Sequence, residues 1–253
     1  MDLQLTGKRA IVTGSTRGIG LAIAHRLAAE GADVAICSRN QTTVDETLAA
    51  FSDYSGNIVG SAVDVSDPVA FQSWINSMNE QLGGIDIFVA NVTGGGGKEG
   101  QSQWQTAAET DILGTVSGIN AVLPMLKQSE HGSIVYISSM AGIIGTPQVP
   151  AYGAAKAAMT HYMKTLSMML VSDGVRVNVV APGDIITEGN VWDRVRINKP
   201  DMFKEVLKRN PRGRLGSPQE IANVVTFVAS PMGSLVNGTH IVVDGGSTTH
   251  VHF

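Results

Sequence analysis

Seven short apolar runs, separated by longer segments of helical pattern, constrain this chain more than any other feature. The runs are Arg9 to Thr13, Asp33 to Ser38, Asn57 to Val63, Ile85 to Ala90, Ser133 to Ser138, Val175 to Ala181 and His240 to Val243. Within them Val and Ile follow one another without polar alternation, so each strand must be covered on both faces. Helical patterns fill the intervals at Ile19 to Glu30, Thr42 to Tyr54, Pro68 to Leu82, Thr106 to Lys127, Ala151 to Ser172 and Pro218 to Ser230. Parallel strands joined by crossover helices meet both requirements. The expected architecture is α/β, a single-domain doubly wound fold with a seven-stranded parallel sheet flanked by helices, spanning residues 1–253. No linker-like shift in composition divides it, and no repeat of solenoid period is present.

Composition narrows the partners. A chain of 253 residues that is 43% hydrophobic and 16% charged can bury one sizeable core. Its net charge of −4 gives no basic stripe for nucleic acid or an anionic membrane. No stretch reaches about 18 uninterrupted apolar residues, and Asp2, Lys8 and Arg9 break any apolar leader at the N-terminus. Cys37 is the only cysteine, so no intrachain disulfide can form and a reducing compartment fits. A soluble cytoplasmic protein is expected, with small molecules or copies of itself as partners.

The first strand runs directly into Thr13, Gly14, Ser15, Thr16, Arg17, Gly18, Ile19 and Gly20. This Gly-x-x-x-Gly-x-Gly turn opens a helix. Glycines allow a tight turn and close backbone approach, and the helix N-terminus favours phosphate oxygens, so a dinucleotide is the expected ligand of a Rossmann-type junction. Cofactor choice is set at the end of the second strand, where an acid would accept the ribose hydroxyls of NAD. Here that end reads Cys37, Ser38, Arg39, Asn40. No acid stands at Ser38, while Arg39 and Arg17 offer two guanidinium groups to a 2′-phosphate, which predicts NADP(H) over NAD(H). Two merely solvated arginines are the alternative.

Chemistry concentrates between Ser138 and Lys156. Tyr152 and Lys156 are four apart, so a helix projects both from one face, with the ammonium beside the phenol. A fixed cation favours the phenolate and makes a phenol able to trade protons nearer neutrality. Ser139, at the end of the fifth strand, supplies a hydroxyl for a substrate oxygen. On its own such a Tyr-x-x-x-Lys pair usually marks an exposed helix face. Here it follows a Ser-Ser strand end and opens a long small-residue helix, and together with the Thr-Gly-x-x-x-Gly-Ile-Gly turn it resembles the signature of the short-chain dehydrogenase/reductase family.

That resemblance runs from Thr13 to Gly246 and implies further roles. It makes Ser139, Tyr152 and Lys156 catalytic, with Lys156 also binding the nicotinamide ribose. Asp64 and Val65 are implied to lie along the adenine, while Asp67 reads as the cap of the helix opening at Pro68. Where the family commonly has Asn-Asn-Ala-Gly, this chain has Ala90, Asn91, Val92, Thr93, so only Asn91 carries over, followed by the glycine run Gly94 to Gly97. Pro182, Gly183, Ile185 and Thr187 match the segment beside the nicotinamide. Asp111 stands where the family's fourth catalytic residue is an Asn. It accepts the same bonds but brings a charge near Lys156, so it is a candidate relay member, with a plain backbone-bonding Asp as the alternative.

Residues 188–214 are expected to be either a helical lid with an apolar underside or an ordinary packed segment. Ile143, Ile144, Val149 and Pro150 are candidate walls for a substrate. His240, His250 and His252 lack supporting ligands, so no metal site is expected. The implied activity is NADPH-dependent interconversion of a carbonyl and a secondary alcohol by hydride transfer, with Tyr152 as proton donor or acceptor. A catabolic alcohol dehydrogenase and a non-catalytic NADP-binding regulator are the competing readings. A homo-oligomer, a tetramer by the resemblance, is the expected assembly.

Overall fold

A computed structural model describes residues 1–95 and 100–249. Gly96 and Gly97 of the glycine run, and His250 and His252, lie outside the described residues. Seven parallel strands form one sheet: β1 (Arg9–Val12), β2 (Asp33–Ser38), β3 (Ile58–Ala62), β4 (Ile87–Ala90), β5 (Ser133–Ile137), β6 (Arg176–Pro182) and β7 (His240–Val243). Their spatial order is β3-β2-β1-β4-β5-β6-β7. The chain therefore builds outward from β1 in one direction, returns, and builds outward in the other. β1 and β4 are neighbours at the point of return, with Ile11 opposite Phe88. The crevice beyond their C-terminal ends is where a doubly wound sheet holds its ligands.

The helices are α1 (Gly18–Ala29), α2 (Gln41–Ala49), α3 (Pro68–Leu82), α4 (Gln101–Thr106), α5 (Thr115–Leu126), α6 (Pro150–Met169), α7 (Val191–Asn198), α8 (Pro200–Arg209) and α9 (Pro218–Ala229). Local chemistry explains several of their starts. Asp67 accepts the Val69 and Ala70 N–H groups at 3.0 Å and Pro68 fixes the first turn of α3. Ser217 and Glu220 close a reciprocal capping box on α9. The helix expected from Thr106 begins earlier, at Gln101, and is interrupted by a π-helical stretch, Ala107–Gly114. No periodicity in the sequence announces that wider turn.

Two apolar layers cover the sheet. On one face Phe71, Trp74, Met78, Ile119, Val122, Met159 and Met163 pack on Ile11, Phe88 and Tyr136. On the other Ile23, Leu27, Val44, Val225 and Val228 pack on Val12, Ile36 and Val89. Successive strand residues thus feed opposite layers, each buried Leu, Ile or Phe contributing about 1.5–3 kcal/mol. The edge strands β3 and β7 are only half-buried. Cys37 lies inside β2, where burial pushes its thiol up to about 12 and makes it inert. No described helix is long and apolar enough to cross a membrane.

Candidate active site

The turn after β1 is shaped by its glycines and braced by its neighbours. Gly14 has φ +62°, and a Cβ on Gly20 would stand 2.3 Å from the Gly14 carbonyl oxygen and 2.5 Å from Asn91 Nδ2. No side chain fits there. Asn91 donates from Nδ2 to the Thr13 and Gly14 carbonyls at 3.0 and 3.1 Å. Ser15 is fully buried, donating to the Val12 carbonyl at 2.6 Å and accepting the Cys37 N–H at 3.0 Å. Asn91 and Ser15 therefore spend their side chains on holding the turn rather than on reaching out of it. Arg17 occupies the N-cap of α1 without a side-chain cap bond, so the first-turn N–H groups face the crevice uncapped by it. Thr16, Gly18 and Ile19 are half-buried around the same mouth.

Arg17 and Arg39 are both exposed, and among the described residues neither forms a salt bridge. Ser38 is half-buried and its hydroxyl donates to the Asn40 carbonyl at 3.2 Å. Asp64 accepts the Ser66 N–H at 2.9 Å and the Ser66 hydroxyl at 2.7 Å. Those two bonds, with a smaller contribution from the Arg39 charge, hold its carboxyl below the usual range. Val65 is buried beside it. From the far side of the crevice Thr187 approaches α1, its Oγ1 lying 3.9 Å from where a Gly18 Cβ would be. Pro182 ends β6, Gly183 packs against Asp244, and Ile185 is buried and bridged to Gly216.

The segment 188–214 carries α7 and α8. Val206 is buried and Trp192, Val195, Phe203 and Leu207 are half-buried, whereas Val191, Ile197 and Met202 face outward. Its apolar residues thus divide between inside and outside. Its C-terminal end is tied to α9 through Arg214, which bonds Glu220 at 2.7 and 2.8 Å. Glu220 also closes the cap on α9 and is held down at about 2 by Arg214 and the Ser217 N–H.

At the end of β5, Ser138 is buried with its hydroxyl 2.8 Å from that of Thr160. Ser139 is half-buried and caps the short turn Met140–Gly142, accepting the Ala141 N–H at 3.1 Å and keeping its own proton to donate. Tyr152 lies in the first turn of α6, half-buried, and Lys156 one turn further is only 2% exposed. The Lys156 ammonium donates to the Ile137 carbonyl at 3.0 Å. It stands 5.6 Å from the centre of the Tyr152 ring and 4.9 Å from that of Tyr136. Helical spacing therefore does bring cation and phenol to one place, with the cation aimed inward at the strand.

Asp111 arrives through the π-helical turn and is fully buried. Its Oδ2 accepts the Gly94 N–H at 2.8 Å, while Oδ1 lies 3.3 Å from the Lys156 nitrogen. That second contact is one of charge, because Oδ1 completes no hydrogen bond. One side chain thus makes a backbone bond and sets a charge beside the lysine. Burial acts to lower the Lys156 pKa, but Tyr136, Tyr152 and Asp111 outweigh it and the ammonium is raised above its ordinary value. The sequence reading overlooked Tyr136. The available signal was a phenol in the middle of an otherwise apolar central strand, a polar group that must be accounted for once buried.

The profile of a family described as enoyl-(acyl carrier protein) reductase matches residues 14–248. The chain belongs to the short-chain dehydrogenase/reductase family. That family's members similar to it include isoepoxydon dehydrogenase of Penicillium expansum, 35% identical over 96% of this chain and 95% of the relative. The 3-oxoacyl-acyl-carrier-protein reductase FabG of Escherichia coli is 36% identical over 96% of this chain and 98% of its own. In structure, L-sorbose reductase from Gluconobacter frateurii, complexed with NADPH and L-sorbose, superposes with a TM-score of 0.92 at 28% identity, covering 99% of this chain and 100% of that one. Membership in this family makes the chain an oxidoreductase of the carbonyl and alcohol couple.

Proposed function

We propose that this protein is an NADPH-dependent reductase that interconverts a carbonyl and a secondary alcohol, with Tyr152 as the proton donor and acceptor. The observation that carries the reading is the gathering of Ser139, Tyr152 and Lys156 at the end of β5, on the same edge of the sheet as the glycine turn. The turn suits a dinucleotide: Gly20 leaves no room for a side chain, and the start of α1 is uncapped and faces the crevice. Gly14, Thr16, Arg17, Gly18 and Ile19 would hold the pyrophosphate side, braced from behind by Ser15 and Asn91. Arg17, Ser38 and Arg39 would take the 2′-phosphate, Asp64 and Val65 the adenine, and Pro182, Gly183, Ile185 and Thr187 the nicotinamide. The NADPH of the sorbose reductase complex supports the choice of cofactor.

Bound NADPH supplies the hydride for the carbonyl carbon. The chain's own residues manage the oxygen and the proton. Ser139 donates its free proton to the substrate oxygen, and Tyr152 gives up the phenolic proton as that oxygen becomes an alcohol. Lys156 keeps a positive charge beneath the phenol. In the alcohol direction Tyr152 takes the proton back. Helices α7 and α8 would cover the substrate as a lid on the single domain, with the Arg214 and Glu220 pairing as its fixed end. A spectrophotometric panel of sugars, acyl thioesters, steroids and small ketones, run with NADPH and with NADH, tests the reading. NADPH oxidation on one class with far slower NADH oxidation is expected. Comparable turnover with both would overturn the cofactor assignment, and tight NADPH binding without turnover on any carbonyl would favour a regulator.

A further inference from the structure

We propose that Tyr136 is a positioning residue which, together with Asp111, fixes the Lys156 ammonium beneath Tyr152. The inference rests on the reading of Tyr152 and Lys156 as the acid-base pair and adds a residue to it. Tyr136 projects from β5 into the core and is fully buried, yet its hydroxyl has no hydrogen-bond partner. Asp111 Oδ1 shares that condition. Between them stands Lys156, whose nitrogen is 4.9 Å from the Tyr136 ring centre and 3.3 Å from Asp111 Oδ1.

Two orphaned polar atoms in a native core usually cost stability, and a Phe ring would fill the Tyr136 site without that cost. Packing therefore does not explain the hydroxyl. Its surroundings do. A phenol oxygen accepts as well as donates, so this hydroxyl offers the neighbouring ammonium a lone pair that a Phe would lack. The ring face adds a cation–π attraction within its ordinary range. Burial raises the Tyr136 pKa, so the phenol stays neutral and holds the cation as a dipole without discharging it. The groups facing Lys156 are Tyr136 from β5, Asp111 from the π-helical turn and Tyr152 from its own helix, with the Ile137 carbonyl completing the shell. Held from the strand and from the π turn at once, the ammonium has one place to stand.

Tyr136→Phe tests this directly. The variant is expected to melt at the same temperature as the parent or higher, because an unpaired buried hydroxyl has been removed. Its kcat is expected to fall about tenfold with the KM for NADPH held within about twofold, as a misplaced catalytic group would give. The pH dependence of its kcat should change, since the positive charge beside the proton donor no longer stands in its place. A crystal structure of the variant should show the Lys156 nitrogen displaced from the Ile137 carbonyl. An unchanged pH profile with an unmoved lysine would overturn the proposal. If the parent reduces no carbonyl, the functional reading fails by itself, and the lysine position in the Tyr136→Phe crystal still decides: displaced supports the clamp, unmoved refutes it.

Discussion

A partly buried ion pair lies at the N-terminal end of the central strands and a fully buried one at their C-terminal end, and the two are built differently. At the N-terminal end Arg9 grips Asp86 through Nε and Nη2 at 2.8 Å each, the Arg9 N–H adds a bond at 2.9 Å, and the Ser129 hydroxyl another at 2.6 Å. Both carboxylate oxygens are saturated. At the C-terminal end Lys156 and Asp111 meet at 3.3 Å, and Asp111 Oδ1 and the Tyr136 hydroxyl complete no hydrogen bond. A saturated pair stabilises the sheet and can do little else. The unsaturated one keeps donors and acceptors in reserve, as a site that must move a proton requires.

The contrast breaks most visibly at Asp86. Asp86→Ala leaves a half-buried guanidinium without its partner and should cost about 3 kcal/mol, or roughly 6–12 °C in Tm, with kcat per folded molecule unchanged. Thermal unfolding with an active-site titration checks both. The same pair sets an acid limit. Burial works to raise the Asp86 carboxyl, but the Arg9 and Ser129 bonds outweigh it and hold it below its ordinary value. Its stabilisation is therefore full above the unfolded value of about 3.9 and is lost as pH falls through the lower folded value. An Asp86→Asn variant should unfold with a flatter pH dependence in that window.

Smaller effects sharpen the other side. Replacing Arg17 and Arg39 together by Ala should raise the KM for NADPH about 100-fold, near 2.7 kcal/mol, and leave NADH kinetics alone. An equal rise for both cofactors would return these arginines to the solvent. Asp111→Ala should lower kcat about tenfold, near 1.4 kcal/mol, and reshape its pH profile. Turnover unchanged at every pH would remove Asp111 from the relay. Asp67→Ala, a cap remote from both ion pairs, should cost only about 1 kcal/mol in a denaturant titration.

The sheet was legible in the sequence because strands buried on both faces write themselves as Val and Ile runs, and β2 falls where its run falls, as does the half-buried edge strand β7. The cap at Asp67 was legible for a similar reason, since it rests on a local pattern. The π-helical turn was not, because its residues carry no period that distinguishes it from the helices on either side. Roles carried by long-range geometry were hidden too. Ser15 belongs to the glycine turn in sequence whereas Asn91 ends β4, and only the fold shows Ser15 turned back onto β1 and β2 and Asn91 reaching across to the turn. Tyr136 stands out in sequence only as a phenol within an apolar strand, and its place is seen when Lys156, twenty positions on, is found against its ring.

The central claim is that the unsaturated end of the sheet moves a proton through Tyr152. Tyr152→Phe removes that proton and little else. On a carbonyl that the parent reduces, the variant should lose about 1000-fold or more in kcat while binding NADPH within about twofold of the parent by fluorescence titration. Turnover retained at the parental level with NADPH bound would contradict the account.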